Sequence, residues 1–324
     1  VSSKTSFDTM SAERQVASLR GCVIDMLSQY GLSNADFESI NHEFNSTFKV
    51  TTEAGEFFAL RVNVNSKRSA ANLMGELAFV NAVQSVSTPK PVATLAGEYV
   101  VSSWHEDSGR HLNAVLYSWL DGVEPGDEPT DDQLFALGAA MAKLHEEFKG
   151  FSLPPGAELP ELSDFLWGEK DYLLGDASEL SSEEKALLLG AKTRITQTLA
   201  ELSAEAHSQP IHADLHPWNV MWHEGELSVF DFDDSGIGLP IQDLATALYY
   251  LDTPEQDEAL LAGYKSVAAL PQHTEGQLKD LLLQRRIILL NYLFETTNSD
   301  HRAMIPEYLP ETIRRIRSVL AGSA

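Results

Sequence analysis

"HADLHPWNVMW" at residues 212–222, followed by "VFDFDD" at 229–234, is the stretch on which the reading of this chain turns. It places His212, Asp214, His216 and Asn219 within eight positions and delivers Asp231 shortly afterwards. The segment between them, "NVMWHEGELSVF", alternates on either side of "HEGE" as a β-hairpin does. Its second strand therefore returns Asp231 to the neighbourhood of Asn219. Three readings are open: a metal-ligand cluster, the loop of a phosphoryl-transfer enzyme, or a turn in which Asp and Asn merely satisfy loop backbone.

Phosphoryl transfer asks little covalent work of a protein. An acceptor hydroxyl must be oriented, and the charge on the phosphates must be held. Asp214 can take the hydroxyl, the amide oxygen of Asn219 suits a hard cation, and Asp231 adds a carboxylate, so one hairpin gathers all three groups. A transition-metal site would need further imidazole or thiolate ligands. The other eight histidines are scattered, Pro217 interrupts any helix that would present both His212 and His216, and the single cysteine, Cys22, sits in an apolar helical pattern. A metallohydrolase is the weaker reading.

With these motifs the chain resembles the aminoglycoside phosphotransferase and choline kinase family, small-molecule relatives of the protein kinases. The resemblance rests on "HADLHPWNVMW" and "VFDFDDSG" and covers most of the chain. It implies an α+β fold of bilobal protein-kinase-like form, with a small β-rich N-terminal lobe and a larger, mainly helical C-terminal lobe. It further implies ATP and Mg2+ as cofactors, Asp214 as the catalytic base or hydroxyl-positioning group, Asn219 and Asp231 as metal ligands, and Asp233 as a further metal contact. The kinase lysine of the third strand has its counterpart in "FALR", where Arg61 shares a strand face with Ala59, and the helix that follows carries Glu76. Arg for Lys is a departure that keeps the charge but changes reach and geometry. Without the downstream motif, Arg61 and Glu76 would read as a surface ion pair. No glycine-rich loop precedes the strand; the corresponding turn is "NHEFNSTFKV", where Ser46 and Thr47 offer donors to phosphate. "VLYSWLDG" falls where the family joins its lobes, which assigns the backbone of Ser118 and Leu120 to the adenine edge and Tyr117 beside it.

The remainder of the sequence fits two lobes, 1–120 and 121–324. Apolar spacing predicts a helix over 11–30 ended by Gly31, a hairpin in "STFKVTTEAGEFFALRVNV", a helix over 69–86 and strands in "KPVATLAGEYVVSSW" and "RHLNAVLYSWL". Thr130 with Gln133, and Ser181 with Glu184, mark helix starts by the capping-box pattern, and from Ile241 the chain reads as helical to its end. The formal net charge is -25: residues 1–120 hold 9 Lys and Arg against 12 Asp and Glu, and residues 121–324 hold 14 against 36. Such a field repels nucleic acid and anionic membrane and suits a cationic or zwitterionic small molecule bearing a hydroxyl. No run approaches membrane-spanning length and no basic-then-apolar leader pattern opens the chain, so a cytoplasmic enzyme is expected. The alternatives are a protein Ser/Thr kinase of the same fold and a nucleotide-binding regulator without turnover. A pure binding module has no use for the acid at 214.

Overall fold

The computed structural model describes residues 7–64, 68–175, 178–296 and 298–322. The chain falls into two units, Val1–Ser69 with Pro89–Leu120, and Ala70–Thr88 with Asp121–Ala324. In the first, the helix expected over 11–30 forms as two, α1 (Ala12–Ser18) and α2 (Arg20–Gln29). The break falls at Leu19, whose N–H turns to Val16 O in a tighter i−3 bond (3.1 Å), and Gly31, at φ +79°, ends α2. Five strands follow: β1 (Asp36–His42), β2 (Asn45–Thr51), β3 (Phe57–Asn63), then β4 (Val100–His105) and β5 (Arg110–Ser118) after the intervening helix α3 (Ala70–Ala82). They form one antiparallel sheet in the order β1-β2-β3-β5-β4.

Alternation gives this sheet two different faces. Phe48, Val50, Leu60, Val62, Leu112, Ala114 and Leu116 pack on Leu19, Val23, Met26 and Leu27 of the helices. Burying each of these larger side chains contributes roughly 1.5–3 kcal/mol. Tyr30 fastens the end of α2 to the sheet: its hydroxyl donates to Tyr99 O (2.7 Å) and accepts from Leu116 N (3.2 Å), and burial pushes its pKa up to about 12. The other face carries Thr47, Ala59, Arg61 and Tyr117, as the register Thr47 to Arg61 and Ala59 to Tyr117 requires.

In the second unit, α3 packs by Phe79 edge-on against Phe148 (4.4 Å between centroids) and Phe232 (5.4 Å). The sequence groups this helix with the first lobe; its packing groups it here. Helix α4 (Asp131–Glu147) starts at the Thr130/Gln133 capping box and α5 (Ser182–Glu205) at the Ser181/Glu184 box, both as expected. Strand β6 (Gln209–Ile211), the hairpin β7 (Val220–His223) and β8 (Glu226–Val229), and β9 (Gly236–Gly238) frame the motif, with β6 paired to β9 and β7 to β8. Helices α6 (Pro240–Tyr249), α7 (Pro254–Lys265), α8 (Glu275–Glu295), α9 (Ser299–Arg302) and α10 (Ile305–Leu320) complete the described chain. Helices α4 and α7 cross backbone to backbone at glycines. A Cβ on Gly138 would lie 2.0 Å from Leu260 O, and one on Gly263 would lie 1.9 Å from Phe135 O. No helix among the described residues is long and apolar enough to cross a membrane.

Candidate active site

The loop between β6 and β7 is held by a carboxylate below it. Asp243, in the first turn of α6 and almost wholly buried, accepts from Ala213 N (2.6 Å) and His212 N (3.1 Å). Ala213 sits at φ +67°, a left-handed conformation that costs a residue with a Cβ and persists only where its surroundings impose it. Asp243 also accepts from His145 Nε2 (3.0 Å), which leaves His145 Nδ1 to accept from the Tyr264 hydroxyl (2.9 Å). The turn is thereby anchored to α4, α6 and α7 at once.

His212 and His216 both serve the loop backbone. His212 Nε2 donates to Phe230 O (2.9 Å) and its Nδ1 accepts Asp214 N–H (3.3 Å). Burial lowers its pKa, so the imidazole is neutral, as that tautomer requires. His216 Nδ1 accepts Trp218 N–H (3.2 Å), while the ring stacks on Tyr250 at 4.0 Å. With their nitrogens engaged in this way, neither ring is arranged as a metal ligand. The metal-cluster reading of "HADLH" fails on these contacts.

Asp214 and Asn219 meet directly. Asn219 Nδ2 donates to Asp214 O (2.8 Å) and to Asp214 Oδ2 (3.0 Å). Both of these partners are acceptors, which favours the amide nitrogen facing them, with His216 Nε2 3.3 Å from the same nitrogen; Oδ1 is turned away and accepts no hydrogen bond among the described residues. Phe230 N–H donates to Asn219 O (3.1 Å), which sets Asp231 beside Asn219 across the hairpin. Asp231 is left-handed (φ +62°, ψ +63°), a conformation Asp tolerates better than most residues, and it leads into a 3-10 turn, Phe232–Asp234, that carries Asp233. The oxygens of Asn219, Asp231 and Asp233 are a hard donor set of the kind Mg2+ or Ca2+ takes.

The sequence gives no role to the residues that complete the site. Arg285 of α8 is buried, and its Nη2 donates to Asp214 Oδ1 and to the Tyr250 hydroxyl (2.8 Å). Burial works against ionisation of Asp214, but the Arg285 guanidinium and then His216 (Nε2 to Oδ1, 3.4 Å) outweigh it and hold the carboxyl well below the usual range. Asp214 is 19% exposed, which leaves its carboxylate an open side. The available signal was a pair of arginines inside the apolar helical run "LLLQRRIILL". Charges placed so are buried only with partners.

In the first unit, Ala59, Arg61, Thr47 and Tyr117 share one sheet face, with the Arg61 guanidinium 5.5 Å from the Tyr117 ring centre. Ser46 is a correction. The turn falls at Glu43 and Phe44 because "DFESINH" is itself a strand, β1, so Ser46 and Thr47 lie in β2. Ser46 is fully buried on the helix side, its hydroxyl bonded to His42 Nδ1 (2.6 Å), and has no access to phosphate. Ser118 is engaged in part. Its N–H donates to Lys90 O (2.9 Å) and its hydroxyl accepts Lys90 N–H (2.8 Å), so that N–H is not free for a base edge. Leu120, two residues on, makes no hydrogen bond among the described residues. Glu76 is buried on α3 of the second unit.

A carboxylate locked to an amide, with two further carboxylates returned by a hairpin, is a donor arrangement compatible with phosphoryl transfer. Residues 36–275 match the phosphotransferase enzyme family, and the chain belongs to it. It is an ATP-dependent phosphotransferase. The amicoumacin kinase of Bacillus subtilis (strain 168) is 24% identical over 240 residues, 72% of this chain and 69% of that one. Among solved structures, a microcompartment-associated aminopropanol kinase superposes with a TM-score of 0.79 at 24% identity, covering 94% of this chain and 98% of that one. An amicoumacin kinase solved with AMP-PNP, Ca2+ and Ami gives 0.77 at 21% identity, covering 94% and 96%. These likenesses bear out the kinase-like α+β fold.

Proposed function

We propose that this enzyme transfers the γ-phosphoryl group of ATP to a hydroxyl of a cationic or zwitterionic small molecule, with Mg2+ as its metal. The observation that carries the reading is the double hydrogen bond from Asn219 Nδ2 to Asp214. It fixes the carboxylate that receives the acceptor and, by the same contact, presents Asn219 Oδ1 to a cation. Asn219 and Asp231, with Asp233 beyond them, would hold the ion, which when bound neutralises charge on the phosphates.

Asp214 accepts a hydrogen bond from the acceptor hydroxyl and aims its oxygen at the γ-phosphorus. The new O–P bond forms as the bond from phosphorus to the bridging oxygen of ADP breaks, and the hydroxyl proton leaves towards Asp214. Because Arg285 and His216 keep Asp214 ionised, the carboxylate acts chiefly by orientation and only weakly as a base. In the first unit we assign the nucleotide to the face carrying Thr47, Ala59, Arg61 and Tyr117, with Arg61 at its phosphates and the backbone of Leu120 at the adenine edge.

Charge supports the acceptor class, since residues 121–324 hold 36 acidic against 14 basic side chains. One similar structure is named for aminopropanol, an amino alcohol. The test is an ATP-consumption screen with Mg2+ over amino alcohols, aminoglycosides, hydroxylated amino acids and neutral sugars. Turnover confined to aminated acceptors is expected. A preference for neutral sugars or for acceptors of net negative charge would sink the assignment.

A further inference from the structure

Arg285 and Arg286 are neighbours on α8, both buried, and the structure uses them differently. Arg286 engages all three guanidinium nitrogens: Nε with Thr312 Oγ1 (3.0 Å), Nη1 with the Tyr249 hydroxyl (3.2 Å) and Nη2 with Tyr308 O (3.2 Å). It bolts α8 to α6 and α10. Arg285 engages only Nη2, which donates to Asp214 and Tyr250. Its Nε is buried without a partner, and its Nη1 makes no hydrogen bond among the described residues.

A guanidinium has five N–H donors in a planar fork, and a carboxylate beside it is ordinarily taken by two of its nitrogens. Arg285 is 6% exposed, yet it meets Asp214 through one nitrogen alone. Its unmet donors, a buried Nε and Nη1, thus belong to the same guanidinium whose Nη2 touches Asp214. Rotation to use them on Asp214 is opposed on the other side. The Tyr250 hydroxyl holds the same nitrogen, and Asn219 already occupies Asp214 Oδ2. A buried cation with unmet donors is costly unless something completes it.

We propose that Arg285 is an oxyanion-binding residue, whose Nε and Nη1 receive an anionic oxygen brought beside Asp214. On the phosphotransferase reading, on which this rests, two sources present such an oxygen there: the phosphoryl group in transfer, and a carboxylate on the acceptor. Either arrives within a hydrogen bond of the hydroxyl that Asp214 holds. The second source makes the acceptor a zwitterion, because the acidic charge of this part of the chain still calls for an amine.

Arg285→Lys keeps a positive charge against Asp214 but lacks the fork, and Arg285→Met removes both; melting curves of each report folding. The first measurement needs no turnover: inorganic phosphate and acetate are titrated into the full chain and the shift in Tm is followed. Wild type is expected to gain Tm with at least one of these anions, and Arg285→Lys to lose most of that gain. The second compares a hydroxylated amino acid with the amino alcohol that lacks its carboxylate. A fall of about 10²-fold in kcat for both acceptors in Arg285→Lys assigns the site to the phosphoryl group. A rise of roughly 10- to 100-fold in KM confined to the carboxylated acceptor assigns it to the acceptor. Unchanged kinetics together with an unchanged anion response overturn the proposal. Should wild type turn over neither acceptor while its anion response still depends on Arg285, the acceptor class fails and the oxyanion site stands.

Discussion

Asp243 accepts the N–H of Ala213 at 2.6 Å and thereby holds in place a left-handed residue directly before Asp214. The same carboxylate takes His212 N and His145 Nε2. Asp243→Asn keeps the shape but leaves one acceptor oxygen for three donors. It should lower stability by about 2–4 kcal/mol, since a buried charged acceptor is lost. A shift of the loop by about 1 Å should reduce kcat by about 10²-fold. Denaturant unfolding and steady-state kinetics measure the two effects, and normal turnover would show that Asp243 does not position the loop.

Asp214→Asn should cut kcat by about 10²–10⁴-fold while leaving nucleotide affinity little changed. Calorimetry with a non-hydrolysable nucleotide, beside kinetics, separates the two. A variant that turns over normally would remove Asp214 from its assigned role.

Chelation should abolish turnover and added Mg2+ restore it. Asn219→Ala should raise the half-saturating metal concentration by about tenfold or more, because the amide oxygen is lost and Asp214 Oδ2 loses its bond to Asn219. An unaltered metal dependence would move the ion away from Asn219.

Burial depresses the pKa of His42, His105 and His212 from 6.5. Below that value the unfolded chain binds protons that the folded chain does not. Stability from these residues is therefore complete above pH 6.5 and declines as pH falls beneath it. Unfolding experiments at pH 7.5 and 5.5 should show the loss, and His42→Gln should reduce it. A pH-independent difference between wild type and His42→Gln would contradict the assignment.

Gly263→Ala would ordinarily stabilise a helix by about 1 kcal/mol. At the crossing of α4 and α7 the sign should reverse, because the added Cβ meets Phe135 O at 1.9 Å. A cost of about 1–3 kcal/mol is expected from overpacking against backbone. Thermal melts of this variant, with Gly21→Ala at an open position of α2 for comparison, test the point.

What the sequence made legible depended on how local the determinant was. Asp214, Asn219 and Asp231 are ordered by one loop and one hairpin, so their spacing carries the geometry. The capping boxes at Thr130 and Ser181 are three-residue signals and read directly. Strand β1 was not legible. "DFESINH" is an edge strand whose side chains are mostly exposed, so it lacks the alternation that betrays a half-buried strand. That omission moved Ser46 and Thr47 into a turn. Arg285 lies 71 positions from Asp214, and only the packing of α8 brings them together. A long-range ion pair leaves no trace in spacing.

The hairpin β7 to β8 also works as a ruler. Its register, Val220 to Val229 and His223 to Glu226, sets how far Asp231 stands from Asn219, and the two-residue turn Glu224–Gly225 is the only slack in the measure. One residue inserted at that turn would slip the pairing and carry Asp231 to the opposite side of the ribbon. Chain length at 224–225 is thus as binding on the chemistry as any side chain in the site. Substitutions there that respect the turn should be tolerated, while insertions of a single residue should not.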